Sequence, residues 1–241
     1  MDGITSQFNS QFELESGYAA ARVKVRRAGV RVWDLPTRVF HGSLLACVSG
    51  AVISAQLGGN WMDWHVRFGA ATAGLLAFRI VWGFVGPRYA RFRSFVHAPR
   101  TVLADLFKRG GERHAGHSPS GGASVLALLS VLTALTLSGL LSSDSISTDG
   151  ALVRYASEST VTAATSLHHK LQWVIYALVG LHVLAVLAYL LLKKIDLIRP
   201  MLHGDKPGLR APHAADTLSV RVVGLGLMFS SVTGAVWLLR A

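Results

Sequence analysis

The chain has 241 residues, of which 51% are apolar and only 15% charged, with a formal net charge of +11. A soluble domain carries about 25% charged residues, so this composition excludes an ordinary soluble fold and points to lipid as the solvent of the core. One cysteine, Cys47, excludes a disulfide or a cysteine-held cluster within the chain.

Residues 1–37 are polar and charged, without the apolar stretch of a cleavable signal, and residues 1–20 show no apolar period. Arg31-Val-Trp-Asp-Leu-Pro-Thr-Arg38 reads as an interfacial entry, with Trp33 at headgroup level before a proline-set turn. Five runs then approach the roughly 20 apolar residues that cross a 30 Å hydrocarbon layer: Val39–Leu57, Val66–Val85, Ser124–Leu141, Leu171–Leu192 and Leu218–Leu239. The first doubles as an uncleaved insertion signal. Gly58–Trp64 is a tight turn with two interfacial tryptophans. Within the connection 86–122, Thr101–Arg109 puts Leu and Phe on one face and charges on another, as a short helix on the membrane surface does. Residues 142–167 form the largest segment of the opposite side. No internal repeat is present.

Basic residues alternate with the spans. Arg22 to Arg38, Arg88 to Arg113 and Lys193 to Arg221 flank them on one side, whereas 58–64 holds none and 142–167 holds only Arg154 beside Asp144, Asp149 and Glu158. This is the positive-inside pattern. It places the N-terminus in the cytoplasm and the C-terminus in the periplasm of a bacterial inner membrane. The charge is then accounted for by topology and anionic headgroups, which disfavours nucleic acid as a partner.

Histidine within lipid is costly and marks function. His168 and His182 are fourteen residues apart, about 40° short of four helical turns and a rise of roughly 21 Å, so they face one way at two depths. His41 and His65 stand where the first and second spans begin. Because spans alternate in direction, His65 pairs with His168 on the outer side and His41 with His182 further in. Two pairs of neutral imidazoles suit two b-type haems held by axial ligands alone. Taken singly, His65, His168 and His41 also read as interfacial residues; His182, amid Val179–Leu187, does not. His41 looks nearer the inner edge than His182, unless the first helix begins near Trp33. His169 lies about 140° from His182 around the helix and points elsewhere, while His97, His114, His117, His203 and His213 read as solvated loop residues. Gly42, Gly50, Gly69, Gly74 and Gly180 would let a macrocycle approach, or serve plain helix packing. Arg67 and Arg79, inside span limits, would bind haem propionates or snorkel to headgroups.

The stretch Trp33-Asp-Leu-Pro-Thr-Arg-Val-Phe-His41 resembles the opening of bacterial membrane cytochromes b, namely the prokaryotic cytochrome b561 family and the b-type subunit of nickel–iron hydrogenases. Trp82-Gly-Phe-Val-Gly-Pro87 with Ala90-Arg-Phe92, Gly116-His-Ser-Pro-Ser-Gly121, and Leu167-His168 followed by Leu181-His182 agree. The resemblance covers about residues 31–205. It implies an all-α polytopic membrane protein with a four-helix di-haem core that exchanges electrons with membrane quinone, ubiquinone or another. It places the iron ligands on His41, His65, His168 and His182. Two departures stand out: His169 sits where relatives often carry an acidic residue, and the fifth span lies beyond a four-helix core. The expected division is a cytoplasmic segment 1–37, a cytochrome core 38–216 and an added transmembrane helix 217–241.

The expected role is electron carriage in a respiratory chain, with quinone oxidoreductase activity left open. Proton exchange at quinone asks for an ionisable group, for which His169, Lys170, Asp63 and Glu158 are the outer-side candidates. Alternatives remain. The chain could anchor a hydrogenase or dehydrogenase, or serve a periplasmic cytochrome c. It could form a homodimer or take electrons from superoxide. From another class, its histidines could move a metal ion or protons, against which the lack of an inverted repeat and of mid-span carboxylates counts.

Overall fold

The computed structural model describes residues 29–107, 114–146 and 148–238. The expectations for residues 1–20, Arg22 to Arg27, Lys108, Arg109, Arg113 and Leu239 lie outside those residues. Among the described residues seven α-helices follow one another: α1 (Leu35–Leu57), α2 (Met62–Val85), α3 (Pro99–Phe107), α4 (Pro119–Leu140), α5 (Glu158–Leu191), α6 (Ile198–His203) and α7 (Leu218–Leu238). Five of them, α1, α2, α4, α5 and α7, are long and apolar enough to cross a membrane. The chain is an all-α polytopic membrane protein.

Four of the long helices start earlier than their apolar runs, and in three of them capping chemistry sets the first turn. Asp34 caps α1 by accepting the amide of Thr37 at 3.2 Å, with Pro36 in the first turn. Ser118 caps α4 by accepting the Gly121 amide at 3.1 Å, followed by Pro119. Ser157 caps α5, fourteen residues ahead of the apolar run at Leu171. At 34 residues, α5 is about 51 Å long and outruns a ~30 Å apolar layer. Its polar first turns, Glu158 to Ser166, therefore stand beyond that layer, and the connection before α5 shortens to 141–157. Between α1 and α2, Gly58 and Gly59 turn the chain at φ +65° and +52°, where only glycine is unstrained.

Helix α2 is the central element. It packs along α1 on one side and α7 on another, and it touches α4. Phe40, Leu75, Phe78, Trp82, Ala90 and Met228 form the core that joins α1, α2 and α7. Gly74 lets α7 come close, since a Cβ there would stand 2.5 Å from the Val232 Cα. Helix α5 packs closely on α4 alone, so its backbone stands apart from α1 and α2. One mid-depth cluster bridges that gap: Leu76, Leu132 and Ile175, with Leu44 and Val48 against them.

The end of the bundle where α1 begins and α2 ends carries a folded cap. Strands β1 (Val30–Arg31) and β2 (Asp205–Lys206) pair antiparallel. The Gly204 carbonyl accepts from Val32 and Trp33 at 2.8 and 3.1 Å. Arg31 reaches Asp205 at 2.8 Å and Asp216 at 3.1 Å, while Asp216 accepts the Leu35 amide at 3.0 Å and Arg221 at 2.9 Å. The segment before α1, the connection after α6 and the root of α7 thus close on one arginine. Trp33, expected at headgroup level, is instead buried in this cap with Val30 and Val32, against Tyr89 and Met201.

Candidate functional site

The four membrane histidines fall into two pairs at opposite halves of the bundle. His65, in the first turn of α2, and His168, on α5, hold their ring centres 6.1 Å apart with planes at 88°. Each ring is oriented through Nδ1. That of His65 lies 2.9 Å from the Ala51 carbonyl and that of His168 lies 2.9 Å from the Leu135 carbonyl. A carbonyl oxygen only accepts, so Nδ1–H donates in both, and Nε2 is the ring nitrogen left to face a ligand. Gly139 makes room for the second ring, because a Cβ there would lie 2.8 Å from His168 Cε1. Neither the carbonyls nor Gly139 could be picked out from the sequence, since helix–helix register decides which backbone atoms face a ring.

His41, on the second turn of α1, and His182, on α5, form the other pair, close enough for charge on His182 to act on His41. Their expected mismatch in depth disappears because α1 begins at Leu35, right behind Trp33 and Asp34, and α5 continues nine residues past His182 to Leu191. Ile175, seven residues from either histidine of α5, puts the Leu76–Leu132–Ile175 cluster between the two pairs.

Toward the cap, at the same end of the bundle as His41 and His182, polar and aromatic side chains are packed together. Asp34, 0% exposed, accepts from Thr37 Oγ1 at 2.7 Å and from Trp82 Nε1 at 3.0 Å. Arg79 is 4% exposed, so it does not snorkel; its guanidinium lies over Phe92 at 5.0 Å and Phe95 at 6.0 Å. His117, expected to be solvated, is packed between Trp33 and Phe95, its ring centre 4.7 Å from each. The chain turns back at Gly116–Ser118 to start α4, which carries this residue under the cap. Burial pushes the His117 pKa down to about 3, and the charges of Arg79, Lys206 and His182 push it the same way. It is neutral at physiological pH.

The remaining predicted residues are spread out. Arg67 is exposed, with its guanidinium 5.0 Å over Trp64, as a snorkelling side chain would be. Asp63, Glu158, His169 and Lys170 are exposed, and the His169 ring sits 6.4 Å from that of His168. Of the five glycines, Gly42, Gly69 and Gly180 border open space. Gly50 and Gly74 serve packing against Phe68 and Val232. Among the described residues no three or more His, Cys, Asp or Glu side chains gather at one point; the histidines come in twos.

Comparison with curated proteins and with solved structures gave no match. The family model described as prokaryotic cytochrome b561 matches residues 32–204, ending short of α7. That span takes in both histidine pairs, part of the cap (Val32, Trp33 and Gly204) and four of the five long helices, and the chain belongs to the prokaryotic cytochrome b561 family of membrane haem b electron-transfer proteins.

Proposed function

We propose that the chain carries electrons across a bacterial inner membrane through two b-type haems, held by His65 with His168 and by His41 with His182, and exchanges them with quinone at one face. The observation that carries this reading is the His65–His168 pair. Two imidazoles from different helices, 6.1 Å apart between ring centres, are the residues that would hold one iron between them. A backbone carbonyl on each Nδ1 is the outer support that metal-binding imidazoles ordinarily have. The unpartnered Nη1 of buried Arg79 supports the other site, where a haem propionate would satisfy it; exposed Arg67 is the weaker candidate for a propionate at the His65–His168 site.

When bound, the haems supply the one-electron redox chemistry. The chain supplies position. Helix α5 carries one ligand of each pair, so a single rigid element sets the spacing between sites. The Leu76–Leu132–Ile175 layer keeps water from the space between them. Helix α7, packed on α2, stiffens the helix that holds His65 and Arg79. The basic end of the bundle faces the cytoplasm by the positive-inside pattern, so His65 and His168 lie toward the periplasm. Quinone exchange is assigned to that face: the opposite end carries the cap, while His169, Lys170 and Asp63, close to His168 and His65 in the chain, are exposed to move protons and Glu158 stands further out.

The test is an optical spectrum of the detergent-purified chain, oxidised and then dithionite-reduced, with haem counted per polypeptide, followed by reduction with a short-chain quinol. Two b-type haems, both reducible by quinol, are expected. A colourless protein after expression with ample haem would end this reading in favour of metal or proton transport by the same histidines.

A further inference from the structure

Two buried nitrogens near His182 have no partner. Arg79 Nη1 and His117 Nδ1 are both shut off from solvent without a hydrogen bond. The two side chains come from different elements, α2 and the turn before α4, and both rest on the ring of Phe95, itself 1% exposed. The Arg79 guanidinium and the His117 ring stand 6.0 and 4.7 Å from the Phe95 ring centre, and the charges of Arg79 and His182 both reach His117. An unsatisfied buried donor costs about 1–3 kcal/mol, and the Arg79 guanidinium and a His117 ring in its Nδ1–H tautomer both call for an acceptor from outside the chain. Asp34, whose charge acts on Arg79, makes no hydrogen bond to Nη1. Its carboxylate accepts from Thr37 and Trp82 instead.

We propose that Arg79 and His117 form one receptor for a carboxylate of the group that His41 and His182 hold. On the haem reading, on which this rests, that carboxylate is a propionate of the haem at the basic end. Arg79 supplies the charge. His117, neutral and in its Nδ1–H tautomer, donates a second hydrogen bond without adding a second charge to a buried site. Trp33 and Phe95, packed on either side of His117, exclude water that would compete for the carboxylate. The receptor is a positioning device for the electron-transfer reaction. Its charge also favours the reduced state, because an unneutralised propionate stabilises ferric iron. Nothing of this kind surrounds His65 and His168, where Arg67, the nearby arginine, is exposed.

The experiment is an optical redox titration of the full-length protein in detergent. His182→Ala and His65→Ala, each expected to keep one haem, assign the two potentials. His117→Phe fills the slot between Trp33 and Phe95 without a donor, and Arg79→Gln removes the charge. Two haems should remain in both. The reduction equilibrium of the basic-end haem should shift about tenfold toward the oxidised form in Arg79→Gln, a fall of about 59 mV for one electron, and by less in His117→Phe. The far-end haem should not move, and His117→Asn, which restores an N–H, should return the potential. If Arg79→Gln fails to fold, His117→Phe and its rescue decide alone. Two haems with unmoved potentials would overturn the receptor and leave the haem reading intact. Unmoved potentials with slowed quinol reduction would overturn it in favour of a quinone carbonyl as the acceptor. No haem in the unsubstituted chain would bring down both.

Discussion

The two histidine pairs are built by different means. At the far end His65 and His168 are oriented by backbone: each Nδ1 is tied to a carbonyl one helix away, and a glycine clears the space behind one ring. At the basic end Asp34, Arg79, Trp82 and Phe95 are buried and His117 is packed on Phe95, within electrostatic reach of His182, under a cap drawn from three separate parts of the chain. Orientation through main-chain atoms fixes geometry and leaves the electrostatics to solvent. Burial of charged and aromatic side chains sets the electrostatics. On the di-haem reading, one site is therefore placed by helix register and the other is tuned by the cap.

The largest test of that division removes one ligand from each pair. His65→Ala and His182→Ala should each lower the haem content from two to one, with different bands surviving in the reduced spectrum. If either variant lost both haems, the sites would be one cooperative unit, and the contrast between them would fail.

Asp34→Ala should weaken the basic end alone. The carboxylate is fully buried and accepts from the Thr37 amide, the Thr37 hydroxyl and the Trp82 indole. Hydrogen bonds to a charged group contribute about 1.5–3 kcal/mol each, and the partners would be left buried. A loss of about 3 kcal/mol is expected, read as a lower midpoint in thermal unfolding in detergent. Asp34→Asn should lose less. The far-end haem spectrum should persist below the transition.

Gly139→Ala is the matching test at the far end. The new Cβ would lie 2.8 Å from the His168 ring, so the ring must tilt off the Leu135 carbonyl or α4 must shift. Affinity for one haem should drop about tenfold, near 1.4 kcal/mol, in a competition against apomyoglobin. The basic-end haem should remain bound as before. Equal loss at both sites would mean that α4 transmits the strain, and that the sites are not independent.

Much of this was legible in the sequence. Five apolar runs, alternating basic loops and a fourteen-residue histidine spacing are local or periodic signals, and the structure has five helices in those places. The helix starts were missed by several residues because Asp34, Ser118 and Ser157 cap polar turns that no hydropathy count includes. His117 was misread for another reason. A histidine in a loop rich in Gly, Ser and His looks solvated, and only the fold of the cap brings Trp33, more than eighty residues away, onto its ring. Trp33 itself misled in the same way: an interfacial tryptophan and one buried beneath a cap have the same neighbours in sequence.

The smallest expected effect distinguishes the ends by pH. Burial alone would raise the Asp216 pKa, but hydrogen bonds from Arg221 and the Leu35 amide, with the charges of Arg221 and Arg31, outweigh it and hold the carboxyl below its usual range. A depressed folded-state pKa stabilises the cap above the unfolded value, near pH 3.9, and that stability is lost as pH falls through the folded value. Partly exposed ion pairs are screened, so about 1 kcal/mol is at stake. Between pH 5 and pH 3 the unfolding midpoint of the native chain should fall more steeply than that of Asp216→Asn, which has no carboxylate to protonate and starts lower at pH 7. The far-end pair, oriented by carbonyls that do not titrate, should keep its reduced spectrum over the same range while the protein stays folded. Parallel slopes for the native chain and Asp216→Asn would show that Arg31 holds the cap through Asp205 alone.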